Sequence, residues 1–253
     1  MADTPKPWER PSFTSTDPIS SKKDLFAAMG KALTEWSFIE NSLHVLYYKM
    51  LVGQIIDSSS ESQVYRWYAA HKLYGTFPTT ATRINAIKAL AEGYYIHNKE
   101  AAAYLNELVD LVGKFSPRRN DLAHAIVTDE KRSMPLSMAL GLGLAGLPDP
   151  DEEGGTLQTP RFNSKVRDSI AKLEGYRYCK KHIDDLKTHF TSLNSEIWCA
   201  DCLLFPEDRE PEISKDGASV NTPLSQYLQP KKENLQKKLN QTKSEPPPQP
   251  SPA

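Results

Sequence analysis

Within Arg118-Arg119-Asn120-Asp121-Leu122-Ala123-His124 the chain places permanent cations, an amide and a proton-transfer group on seven consecutive residues. On a helix, Asn120 and His124 share one face, and Arg119 lies about 140° from His124, close enough for its long stem to swing across. An imidazole gives or takes a proton near neutral pH. A guanidinium stabilises the extra negative charge of a pentacoordinate phosphorus. With the 2′-hydroxyl of RNA as nucleophile no water needs activating, and cleavage leaves a cyclic phosphate. Such a reaction requires neither a metal nor a cofactor, and none is assigned. Ser116-Pro117 precedes the motif. Because proline suits the first helical position, a new helix is expected there, its positive dipole end favouring an anion. Lys114 and Arg118 are then candidate phosphate ligands. The local balance of Lys114, Arg118, Arg119, Lys131 and Arg132 against Asp121, Asp129 and Glu130 makes a modest basic patch, enough for a few phosphates.

The elements that must position these residues are helical. Trp36, Ile39, Leu43, Leu46, Tyr47 and Met50 recur at three- and four-residue steps on a helix capped by Ser20 or Ser21 and ending at Gly53. Further helical patterns cover about 61–72, the stretch from Pro78 and Thr79 through Tyr95, and 99–115. A last long pattern returns from Ser164 and runs through Tyr178, Ile183, Phe190 and Ile197. Residues 127–163, rich in proline and glycine, read as an irregular insertion with room for a short hairpin. The expected fold is all-α, a bundle of five to six helices with that insertion and a disordered C-terminal tail. Residues 1–19 are expected to be a flexible N-terminus, 20–204 the helical domain, and 205–253 the Pro-rich tail.

Arg119-Asn120-x-x-x-His124 resembles the Arg-x(4–6)-His signature of the HEPN superfamily, as do the early helix with Trp36-Ser37-Phe38-Ile39-Glu40 and the all-α character. That resemblance, over roughly residues 22–200, implies a dimerising helical domain that acts as a metal-independent endoribonuclease in toxin–antitoxin or phage defence. It implies catalytic roles for Arg119 and His124, with Asn120 orienting the histidine or the phosphate. Glu40 is a supporting polar candidate. The partners it implies are RNA, a second copy of the chain, and an antitoxin or other protein reached through the tail. The alternative from another class is a non-catalytic helical module that binds RNA, a nucleotide or a protein.

Other patterns carry less. Cys179-x-x-His182 and Cys199-x-x-Cys202 have the spacing of zinc ligands, but the first pair falls in a helical pattern and no finger separates them. Gly141-x-Gly143-x-x-Gly146 lacks a βαβ setting, and Pro148 follows where a helix should grow. His44, His71, His97 and His189 read as surface or packing histidines, and Trp36, Tyr47, Trp67 and Tyr94 as core aromatics.

Composition bounds the rest. The 253 residues carry 31 basic and 32 acidic side chains, net −1, which removes any argument from overall basicity or acidity. Three cysteines cannot form a disulfide scaffold, no stretch approaches the apolar length of a membrane span, and a cytoplasmic setting is expected. Thirteen of the 19 prolines lie in residues 1–18 and 206–253. The latter stretch matches seven basic with seven acidic residues and has few aliphatics, so it is read as solvated.

Overall fold

The computed structural model describes residues 6–11, 20–52, 60–129, 154–158, 177–205 and 224–244. In chain order these form β1 (Ser20–Ser21), α1 (Lys22–Val52), α2 (Ser60–Gly75), α3 (Thr80–Tyr94) and α4 (Lys99–Ala123). There follow β2 (Ile126–Asp129), β3 (Gly154–Gln158), β4 (Arg177–Tyr178), α5 (Lys180–Leu204) and α6 (Ser225–Ser244). The fold is all-α with six helices among the described residues and one small antiparallel sheet. The sheet centres on β3, whose one edge pairs with β2 in the register Val127 to Leu157. Its other edge takes β1 at Gly154 and Gly155 and β4 at Leu157 and Gln158. The pairing of β2 with β3 therefore falls inside the expected insertion but for Ile126, and most of that insertion lies outside the described residues, as do Lys131 and Arg132. None of the described helices is long and apolar enough to cross a membrane.

The chain divides into two compact units, residues 1–38 with 114–191, and residues 39–113 with 192–253, the division falling inside α1, α4 and α5. In the first unit an aromatic chain forms the core. Trp36 meets Phe190 with ring centroids 5.1 Å apart, Phe190 meets Phe115 at 6.1 Å, and Trp8 meets Phe115 edge-on at 6.1 Å. Each such pair adds about 0.5–1.5 kcal/mol beyond its buried area. In the second unit Ile39, Leu43, Leu46, Ile87, Leu105 and Leu108 are fully buried. Polar bonds fix its register: the Ser42 hydroxyl donates to Asn194 Oδ1 at 2.8 Å, and Lys49 pairs with Asp201 at 2.8 Å. Helix starts follow local chemistry. Ser21 Oγ accepts from the Asp24 amide, and Thr79 and Thr82 form a reciprocal capping box at the start of α3.

Three sequence expectations are corrected. Pro117 does not begin a new helix, because α4 runs unbroken from Lys99 to Ala123 through it. An interior proline costs about 3 kcal/mol. The apolar stripe continues past it through Phe115 and Leu122, both buried, and burying each contributes roughly 1.5–3 kcal/mol, enough to hold the helix together. Residues 6–11 of the expected flexible N-terminus are packed, through Trp8 on Phe115 and through Arg10. Within the expected disordered tail, α6 buries Leu228 and Leu235, and Leu224 just before it is buried as well. Its Lys238 pairs with Glu100, whose carboxyl is held below the usual range chiefly by that bond.

Hydrogen exchange tests α6. Amides of 225–244 should be protected in the parent chain and lose protection when Leu228 and Leu235 are both replaced by alanine. Exchange at free-peptide rates in both proteins would contradict the packed helix.

Candidate functional site

The end of α4 is fixed by one carboxylate. Asp121 accepts from Arg10 twice, Nη2 to Oδ1 at 2.7 Å and Nε to Oδ2 at 3.0 Å. Arg118 Nη1 lies 3.0 Å from Asp121 Oδ2, and the Tyr178 hydroxyl donates to the same oxygen at 2.8 Å. The Arg118 Nη1 group also reaches the Tyr178 oxygen at 3.5 Å. Arg118, Asp121 and Tyr178 are buried, and Tyr178 is pushed up to about 12, first by burial and then by the Asp121 charge. Arg10 and Tyr178 were not legible as partners, since 111 and 57 residues separate them from Asp121.

Arg118, expected at a phosphate, is thus consumed inside the protein. Lys114, the other expected phosphate ligand, is exposed and stands 4.9 Å over the Trp8 ring. Arg119, Asn120 and His124 have the opposite fate. Asn120 and His124 are exposed and Arg119 is half-buried, its Nη1 donating to Asn120 Oδ1 at 3.2 Å. The His124 amide closes the helix by donating to the Asn120 carbonyl at 3.1 Å. The trio therefore sits at the C-terminal end of α4, not at a helix start. Backbone carbonyls and the negative dipole end face outward there, so an anion would be held by the Arg119 side chain and not by helix amides. Glu40 belongs to the other unit and pairs with Arg83 at 3.5 Å.

The residues with zinc-like spacings are engaged in helix capping and packing. His182 Nδ1 accepts from the Cys179 amide at 3.4 Å, which makes Cys179-x-x-His182 a cap at the start of α5. Tyr178 accordingly ends a short strand and is not part of the expected helix. Cys199 and Cys202 are buried on α5 and form no disulfide, and no group of three or more His, Cys, Asp or Glu among the described residues is placed to hold a metal.

Two packing histidines impose a pH dependence. His44 is held below the ordinary 6.5 by burial and then by neighbouring His71, and His189 is lowered by burial. The neutral imidazole is favoured in the folded state, so as pH falls below 6.5 the unfolded chain takes the proton first. Stability is full above that value and declines below it. His44→Gln should lose less stability between pH 7.5 and 5 than the parent in urea unfolding; an equal loss would contradict the assignment. Asp121→Ala leaves two arginines without their carboxylate and should cost about 3 kcal/mol, while Asn120→Ala stays within about 0.5 kcal/mol. Equal urea midpoints for these two variants would contradict the network. The chain matches no protein-family model, no curated protein and no solved structure.

Proposed function

We propose that the chain is a metal-independent endoribonuclease of HEPN type, with His124 as proton-transfer group, Arg119 as phosphate stabiliser and Asn120 holding Arg119. One observation supports this reading above the others. Of the polar residues at the end of α4, Arg118 and Asp121 turn into a buried network while Arg119, Asn120 and His124 stay accessible to solvent. Neighbouring groups locked by packing are what a reacting set needs to keep its geometry.

In the reaction the 2′-oxygen attacks phosphorus as its proton passes to a base, and the 5′-oxygen leaves as it takes a proton from an acid. The products are a 2′,3′-cyclic phosphate and a 5′-hydroxyl. His124 is one such group per chain, so acid and base together come from two copies of the chain. By the resemblance, the setting is cytoplasmic toxin–antitoxin or phage defence.

A second reading, a helical module that binds RNA, a nucleotide or a protein without cutting, is favoured by the engagement of Arg118 and Lys114 within the protein itself. End-labelled RNA incubated in EDTA separates the two. The parent should cut and leave cyclic-phosphate ends, and His124→Ala and Arg119→Ala should each lose activity at least about a hundredfold, in the range of a positioned acid–base group. Uncut RNA with the parent, or equal cutting by all three proteins, would overturn the ribonuclease reading.

A further inference from the structure

α2 turns three of its four aromatic rings of Trp and Tyr outward. Between Val64 and Gly75 only Ala70 and Tyr74 are buried. Trp67 is 45% exposed, Tyr68 55% and Tyr65 74%, with Val64 and Leu73 also open. The expectation of a core role for Trp67 therefore fails, whereas Trp36 and Tyr47 are core as expected. At 3.6 residues per turn Val64, Trp67, Tyr68 and His71 fall within about 100° of arc, with Tyr65 and Lys72 beside them. The indole of Trp67 lies parallel to the His71 ring, 10° between planes and 5.3 Å between centroids. Lys72 Nζ stands 5.2 Å over the Tyr68 ring.

The composition of this face identifies its occupant. Aliphatic ridges pack helix against helix, but here three of the five exposed apolar side chains are flat aromatics. The charged side chains described from 64 to 75 are Arg66 and Lys72, both cations, with no carboxylate among them. A polyanion that carries stacking rings satisfies both features: every base offers a π-face to an aromatic side chain, and its phosphates meet the lysine.

We infer that the exposed aromatic face of α2, formed by Tyr65, Trp67 and Tyr68 with Lys72, is a stacking surface for single-stranded RNA. It shares with the ribonuclease reading the class of ligand but none of the residues, and its binding does not require cleavage.

The test is fluorescence anisotropy with a labelled oligouridine of about twelve nucleotides, a length within known single-strand site sizes. It is made in EDTA and in a His124→Ala background, so that cutting does not enter the result. Tyr65→Ala with Tyr68→Ala, both exposed and free to change without disturbing the core, should weaken binding about tenfold or more while leaving its salt dependence unchanged. Lys72→Ala should lower the salt slope by about one, and a duplex of the same length should bind more weakly than the single strand. Equal affinity in the parent and the double tyrosine variant overturns the proposal. So does the absence of binding by the parent, or a concentration-dependent dimer that the tyrosine substitutions dissolve. Binding that survives loss of nuclease activity would support the surface even if the ribonuclease reading fails.

Discussion

Everything near the end of α4 depends on the Asp121 carboxylate. It is buried, and it gathers Arg10, Arg118 and Tyr178 from the N-terminal segment, its own helix and strand β4. Two guanidiniums around one carboxylate satisfy the acid fully, whereas Arg118 left buried without it would face an uncompensated desolvation cost. The network orders residues 6–11 together with the packing of Trp8 on Phe115, and it fixes the rotation of the last turn of α4. That rotation sends Arg118 inward and leaves Asn120 and His124 in solvent.

Continuity through Pro117 has a chemical consequence. If the helix began at Pro117, its free amides would help hold a phosphate. Because it ends at Ala123, the same residues stand beside carbonyls, and any anion bound there would have to be held by the Arg119 side chain. The burial of Phe115 and Leu122 on either side of the proline decides between these outcomes, since it outweighs the cost of the interrupted backbone bond.

Much of the helical frame was legible in the sequence, because the steps from Trp36 to Met50 and from Leu105 to Phe115 each mark one buried stripe. What was not legible had physical causes. The proline rule is local and took no account of the apolar residues beyond it. α6 is held by Leu224, Leu228 and Leu235 among many lysines and glutamines, a pattern too sparse to stand out from a solvated tail. The zinc-like Cys179 and His182 pair is a helix cap, a role that spacing alone does not distinguish from ligation. For α2, periodicity finds an aromatic stripe but cannot say whether it faces the protein or the solvent. At the candidate site the sequence marked Arg119, Asn120 and His124 as neighbours on one helix, and all three stay open to solvent to some degree, while the partners that draw Arg118 inward are distant in the chain.

The inward and outward division of the arginines is most directly measured by NMR of their side chains, following hydrogen exchange at each Nε–H. The Nε–H of Arg10, bonded to Asp121 at 3.0 Å, and that of buried Arg118 should exchange slowly, and that of half-buried Arg119 should exchange faster than both. Uniformly fast exchange at all three, or protection at Arg119 with exposure at Arg118, would contradict the division on which the reading of this site rests.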